Sequence, residues 1–151
     1  MSGSRSKARK RAVDFLYEAD LRETDAVTLM SDRIGAPDTA VVPDYTITLV
    51  EGVTENRERI DELLTQHIEG WTLSRMPVVD RAVLRLGLYE LLWCPKGDVP
   101  PVVAVDEAVE LARALSTDDS PRFVNGVLGR LAGIRDRLRR TLPKAEETPV
   151  D

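Results

Sequence analysis

The chain has 151 residues, of which 42% are hydrophobic and 31% are charged, so it is long enough for one folded domain with a buried core. Its single cysteine, Cys94, excludes an internal disulfide and favours a reducing, cytoplasmic compartment. No apolar run approaches the roughly 18 residues of a membrane span, and acidic residues interrupt the basic N-terminus where a signal peptide needs an apolar stretch.

The charged residues are unevenly distributed along the chain. The formal net charge of −5 alone argues against nucleic-acid binding. However, residues 1–22 carry six basic and three acidic side chains, and residues 112–144 carry eight and three. Residues 23–110 carry seven basic and seventeen acidic side chains. If the two basic ends meet in the fold, they form one basic face despite the acidic total.

The first eleven residues form a basic segment, which we treat as an N-terminal arm (1–11). A frayed, solvated terminus and an arm that neutralises phosphates both fit this composition. The next residues have a helical period, and the apolar face that includes Phe15 and Leu16 is expected to be buried. A second apolar line that includes Tyr17 and Leu21 predicts contact with either a neighbouring helix or a partner protein.

Helical periods continue through the rest of a domain that we place at residues 12–140. Asp25 or Thr24 is expected to cap a short helix that ends at Gly35, and a long helix is expected from Asp44 to Gly70. Further helices are expected over 77–93, 102–115 and 120–138, and the first of these is apolar around most of its circumference and therefore central. With one possible turn near Trp71, the pattern predicts about seven helices, no sheet and a disordered tail at 141–151.

The segment 116–129 has the features of a sharply defined helix start. Asp119 or Ser120 is expected at the N-cap, and Pro121 lies where its missing N–H group has no cost. Gly126 and Gly129 lie off the apolar stripe of this helix. A bare backbone at these positions fits the close approach of either RNA or another helix.

The sequence offers no catalytic constellation. It has no nucleophile beside a recognisable base, no cluster of metal ligands and no phosphate-binding glycine loop, so we expect a binding protein rather than an enzyme, with no cofactor. The single histidine, His67, is expected to be structural. Asp80 is expected at an exposed helix start, where it either complements the helix dipole or contacts a basic partner.

Four segments in the same order resemble the NusB family of bacterial transcription antitermination factors. They are the basic arm with Ala8-Arg9, the sequence VDRAVLRL from Val79 followed by YEL, the sequence DEAVELA from Asp106, and Asp119-Ser120 followed by FVNGVL. The resemblance covers roughly residues 7–138. The sequence GWTL from Gly70 is similar to the actinobacterial branch of the family.

The resemblance implies an all-α fold of two small helical subdomains. It also implies binding to the boxA RNA of ribosomal RNA operon transcripts, together with NusE, a small-subunit ribosomal protein. Both proteins would act in an antitermination complex with RNA polymerase and other Nus factors. The RNA-binding residues that it implies are Lys7, Arg9, Lys10, Arg11, Asp119, Arg122, Phe123 and Asn125. The NusE-binding residues that it implies are Tyr17, Leu21 and Asp80.

On this interpretation, the cations of the arm contact phosphates, and Phe123 stacks on a base of single-stranded RNA. Asn125 and Asp119 read base edges, and the carboxylate of Asp119 also repels phosphate. Two alternatives stay open. One is a helical scaffold or homodimer without a role in RNA binding. The other is a stand-alone relative of the RNA-binding domain of RNA cytosine methyltransferases, since the chain has no room for a methyltransferase domain.

Overall fold

The computed structural model describes residues 3–94 and 99–142, and these form eight α-helices and no strand. The all-α prediction is therefore confirmed. None of the described helices is long and apolar enough to cross a membrane. In chain order the helices are α1 (Ser4–Arg22), α2 (Ala26–Ile34), α3 (Asp44–Glu55), α4 (Arg57–His67), α5 (Val78–Leu92), α6 (Pro101–Leu115), α7 (Ser120–Gly133) and α8 (Arg135–Thr141).

Helix α5 lies at the centre of the molecule. Every residue from Ala82 to Leu92 is buried, as its apolar circumference predicts. Helices α1, α2 and α3 pack on one another, and α1 and α3 also pack on α5, whereas α6 and α7 pack on each other and on α5. The result is two small groups of helices that share α5 and one continuous hydrophobic core.

The close approach of α3 to α5 depends on Gly52. A Cβ atom at this position would lie 2.2 Å from Cζ of Tyr89, so no larger residue fits without a rearrangement. Burial in this contact raises the pKa of Tyr89 to about 12. The position of Gly52 beside the buried seam of its helix predicts this contact.

Two helices that the sequence predicts to be continuous are each divided. At Asn56 the side-chain amide donates to the carbonyl oxygen of Gly52 at 2.8 Å, and α4 begins at the next residue. Ile134 separates α7 from α8 directly after Gly133. The apolar period runs across both breaks, so periodicity alone could not locate them.

The ends of the chain also differ from the prediction. Helix α1 begins at Ser4, so most of the basic segment forms the first two turns of a helix. Ala8 is 1% exposed, and its carbonyl oxygen accepts a hydrogen bond from the Thr46 hydroxyl at 2.8 Å. Of the expected tail, Thr141 ends α8 and residues 143–151 lie outside the described residues.

Candidate nucleic-acid interface

The first two turns of α1 present three cations on one face. Lys7 and Lys10 are exposed, and Arg11 is half-buried with its guanidinium 5.2 Å from the centre of the Phe15 ring. Residues three and four apart on a helix are neighbours, so these side chains form one cluster. The Lys10 ammonium lies 3.4 Å from the Asp14 carboxylate, and the Lys7 ammonium has no ion-pair partner among the described residues. This cluster can contact phosphates.

Arg9 does not belong to that face, which corrects its assignment as an RNA contact. It is 3% exposed, and its Nε donates to both carboxylate oxygens of Glu90, at 2.8 and 3.0 Å. Glu107 lies 3.4 Å from its Nη1. Burial lowers the pKa of Arg9, but the hydrogen bond and charge of Glu90, together with Tyr45 and Glu107, raise it more, so the net direction is upward. A buried guanidinium needs such carboxylates, and it is not available to a phosphate.

The same network holds the first turn of α1 through the ring of Tyr45. The Tyr45 hydroxyl donates to Glu90 at 2.5 Å, and burial raises the pKa of this phenol. The guanidinium carbons of Arg5 and Arg9 lie 4.4 and 5.6 Å from the ring centre. These cation–π contacts and the Arg9–Glu90 pair fix the helix that carries the exposed lysines.

The hydrogen bonds at the start of α7 differ from the prediction. Asp119 occupies the N-cap position but makes no hydrogen bond to the helix through its side chain. Ser120 is 1% exposed, and its hydroxyl accepts from the backbone N–H of Thr117 at 3.2 Å. Asp119 and the preceding Asp118 are exposed, so both carboxylates face solvent where RNA would approach.

The predicted RNA-binding residues of α7 project to two sides of the helix. Arg122 and Asn125 are exposed, and Arg122 has no ion-pair partner in the described part of the chain. With 3.6 residues per turn, Phe123 and Asn125 project about 160° apart. The ring of Phe123 packs edge-on against Trp71, with ring centres 5.2 Å apart. Phe123 and Asn125 therefore lie on opposite flanks of the helix and do not form one base-binding pocket.

Trp71 is a candidate that sequence reasoning missed. It is 42% exposed, lies in the connection between α4 and α5, and contacts Phe123. A tryptophan next to a glycine in a polar connection is a signal for an exposed aromatic platform. In the sequence, this segment indicates only a branch of the family.

Gly126 and Gly129 face open space. A Cβ atom at either position would meet no atom within 4 Å, so these glycines do not serve helix packing among the described residues. Both are exposed and follow Arg122 along the solvent-facing side of α7. A ligand can approach this backbone closely.

Of the residues assigned to a protein partner, two are accessible and one is not. Tyr17 and Leu21 lie one turn apart on α1 and are 36% and 55% exposed. Asp80 is fully buried, which corrects its expected exposure. Its two oxygens accept hydrogen bonds from the hydroxyls of Ser116 at 2.5 Å and Ser120 at 2.9 Å. Neighbouring elements cover Asp80 in the first turn of α5. The helical period of the sequence does not show which residues another element covers.

The start of α1 and the start of α7 are connected in the structure through α6. Lys7 and Lys10 border a shallow groove, and Glu107, Glu110, Leu111 and Ala114 of α6 lie on its other side. Helix α6 in turn packs along α7. No hydrogen bond or ion pair joins the lysines directly to the start of α7 in the described ranges, so a ligand that touches both must cross the end of α6.

Comparison with known proteins decides the family. The sequence model of the NusB family matches residues 6–133. The chain belongs to the NusB family. The match runs from the first turn of α1 to the end of α7 and includes every residue assigned to the interface.

Relatives named transcription antitermination protein NusB are similar over most of their length. That of Saccharopolyspora erythraea is 76% identical over 140 residues, which are 93% of this chain and 94% of the relative. Those of Beutenbergia cavernae and Streptomyces avermitilis are 53% and 52% identical and cover 90% and 91% of this chain, and 94% and 96% of the relatives. These organisms are actinobacteria, which confirms the similarity noted at Gly70.

Solved NusB structures have the same fold. Thermotoga maritima NusB is 34% identical, with a TM-score of 0.75 over 88% of this chain and 93% of the other. A second structure is described as the antitermination factors NusB and NusE in complex with dsRNA. Its matching chain is 27% identical, with a TM-score of 0.74 over 88% of this chain and 98% of the other.

Proposed function

We propose that this protein is a transcription antitermination factor that binds boxA RNA of ribosomal RNA operon transcripts together with NusE. The observation that supports this most directly is the similarity, over 98% of its matching chain, to a NusB that was solved with NusE and RNA. Membership of the NusB family and the exposed cations of α1 and α7 agree with it. The protein would act in the cytoplasm, where transcripts are made, and as a binding protein rather than an enzyme.

The RNA surface of this proposal has two parts. Lys7, Lys10 and Arg11 at the start of α1 neutralise phosphates and supply affinity that depends on salt. Arg122 adds one cation at the start of α7. Such contacts carry little sequence information, because every nucleotide offers the same phosphate.

Base recognition belongs to the start of α7. Phe123 and Trp71 offer aromatic surface on one flank, where unstacked bases can stack. Asn125 offers an amide on the other flank, with donor and acceptor groups for a base edge. The exposed carboxylate of Asp119 weakens phosphate binding but can accept a hydrogen bond from a base.

NusE binding belongs to the outer face of α1. Tyr17 and Leu21 are large apolar side chains that this structure leaves exposed. Aromatic and apolar residues of this kind are common at the centre of protein interfaces. Tyr17 lies on the same side of α1 as Lys10 but seven residues, or about 10 Å, further along the helix axis, so NusE and RNA would bind next to each other.

The proposal is tested by fluorescence polarisation with labelled boxA RNA, a scrambled RNA of equal length and a duplex RNA, each with and without NusE. We expect boxA to bind more tightly than the scrambled RNA, and NusE to increase the difference. Equal binding of both RNAs in the presence of NusE would contradict it.

The variant Leu21→Asp separates the two ligands. It should abolish NusE binding, because an aspartate at the centre of an apolar interface is desolvated without a partner. It should leave binding to RNA alone unchanged. If it instead converts a dimer to a monomer in light scattering and leaves NusE binding intact, this face is a homodimer interface and the partner assignment fails.

A further inference from the structure

Asp80 combines complete burial with an unusual set of neighbours. Its carboxylate accepts from two serine hydroxyls and makes no ion pair within the described residues. The adjacent arginines do not neutralise it, because Arg81 pairs with Asp20 and Arg85 pairs with Asp20 and Asp61. A charge buried in this way is costly and needs every available hydrogen bond.

The two hydroxyls lie on either side of the connection between α6 and α7. Ser116 follows the last residue of α6, and Ser120 is the first residue of α7. The three residues between them, 117–119, are exposed. One carboxylate from α5 therefore holds both ends of a short exposed connection.

A further layer of hydrogen bonds stabilises this connection. The Ser120 hydroxyl accepts from the backbone N–H of Thr117, and the side-chain oxygens of Thr117 and Ser120 lie 2.7 Å apart. With its hydrogen donated to Asp80, Ser120 leaves Thr117 as the donor in that second bond. The direction of the bond between the two side chains thus depends on Asp80, whereas the backbone N–H of Thr117 donates in any case.

We infer that Asp80 is a positioning residue for RNA recognition: it fixes the α6–α7 connection and the first turn of α7 against α5. This inference rests on the proposed function. Asp119, Arg122 and Phe123 all lie within three residues of Ser120. A shift of this turn would move all three relative to the lysines of α1.

Geometry of this kind matters because binding groups must be held within a fraction of an ångström of their productive positions. Replacement of both partners of a buried hydrogen bond by apolar groups of the same shape can be nearly neutral, so stability alone does not account for a carboxylate here. A carboxylate has two acceptor oxygens at a fixed separation, so it binds the two serine hydroxyls at one defined spacing. This requirement accounts for an aspartate at position 80.

The test compares Asp80→Ala with Asp25→Ala in the full chain. Asp25 caps α2, where its side chain accepts from the N–H of Thr28 at 2.9 Å, so its loss also removes a hydrogen bond at a helix start. We expect Asp80→Ala to weaken boxA binding about tenfold, the equivalent of one ordinary hydrogen bond. Asp25→Ala should leave boxA affinity unchanged.

Two measurements separate positioning from a general loss of stability. The slope of log affinity against log salt should stay unchanged in Asp80→Ala, because no phosphate-binding cation is removed. Affinity for NusE should also stay unchanged, because Tyr17 and Leu21 lie on α1. In addition, the indole N–H signal of Trp71, which contacts Phe123, should shift in the NMR spectrum, whereas that of Trp93 at the other end of α5 should not.

The conservative variant Asp80→Asn keeps one acceptor oxygen and should recover part of the lost affinity. It also serves as the test if Asp80→Ala does not fold. Affinity of the folded variant within twofold of the wild type, or an equal loss in Asp25→Ala, would overturn the inference. Failure of the wild-type chain to prefer boxA would instead overturn the proposed function.

Discussion

The starts of α1 and α7 form the two halves of the candidate RNA surface, and they differ in both charge and anchoring. The start of α1 carries exposed lysines and is held by a buried ion pair between Arg9 and Glu90. The start of α7 carries one exposed arginine and two exposed acids, and is held by serine hydroxyls on Asp80. Under the proposed function, α1 would supply affinity and α7 would supply discrimination between RNA sequences.

The largest expected effect concerns the anchor of α1. Glu90→Gln removes the charge that compensates a buried guanidinium, and this should lower the free energy of unfolding by about 3 kcal/mol, near the lower end of the usual range because Glu107 remains close. Urea denaturation measures this. Lys10→Ala, which breaks only an exposed pair with Asp14, should change stability by less than about 1 kcal/mol and is the matched control.

The phosphate contacts of α1 are tested by the double variant Lys7→Ala/Lys10→Ala. We expect weaker boxA binding and a salt slope that is flatter by about 0.7 for each lost contact with single-stranded RNA. Point substitutions are preferred to a deletion of residues 1–11, because the deletion would also remove the buried residues Ala8 and Arg9. Arg59→Ala on α4 is the control, and an unchanged slope in the double variant would exclude these lysines.

Variants of the aromatic flank of α7 should differ from the lysine variant in the salt dependence of boxA binding. Phe123→Ala should weaken boxA binding by about 1–3 kcal/mol if a base stacks there, with no change in the salt slope. Trp71→Ala should have a similar effect on affinity. Phe123→Leu keeps the apolar contact with Trp71 but not the aromatic face, so full affinity in that variant would show that Phe123 only packs.

Substitution of an exposed glycine of α7 should have a smaller effect, and it should change stability and RNA affinity in opposite directions. Gly129→Ala should stabilise the helix by about 0.5–1 kcal/mol, because the added methyl group meets no atom. If RNA approaches the bare backbone, the same variant should bind boxA less tightly. A more stable variant with unchanged affinity would place the RNA elsewhere on α7.

The smallest effect is expected for Asp119→Asn. Removal of an exposed charge beside a phosphate should strengthen boxA binding a few-fold, by about 1 kcal/mol or less. Binding of scrambled RNA should increase at least as much, since repulsion of phosphate does not depend on sequence. Weaker or unchanged boxA binding, measured by polarisation, would contradict the repulsion.

Much of the fold could be predicted from the sequence, because an apolar period reports burial directly. The central position of α5, the Asp25 cap and the close contact at Gly52 all follow from local patterns. The breaks at Asn56 and Ile134 do not, because the apolar stripe crosses both of them.

The candidate site was less predictable, because charge on a helix does not reveal what faces it. Arg9 looks like its neighbours Lys7 and Lys10 in the sequence, yet Glu90 lies 81 residues away and pairs with it. Asp80 looks like an exposed residue of a first turn, but serines from a later part of the chain cover it. Trp71 has a partner in Phe123 that only the tertiary fold provides.

The uneven charge distribution gives the whole molecule an electric dipole moment. Exposed acids lie along α3 and α4, at Glu51, Glu55, Glu58 and Glu62, whereas exposed lysines lie at the start of α1. An approaching polyanion is therefore repelled along α3 and α4 and attracted at the start of α1, which favours one alignment before any contact forms. Because charges separated by more than about 8 Å are largely screened at physiological salt, this alignment should act only in the final approach and should fade as salt rises.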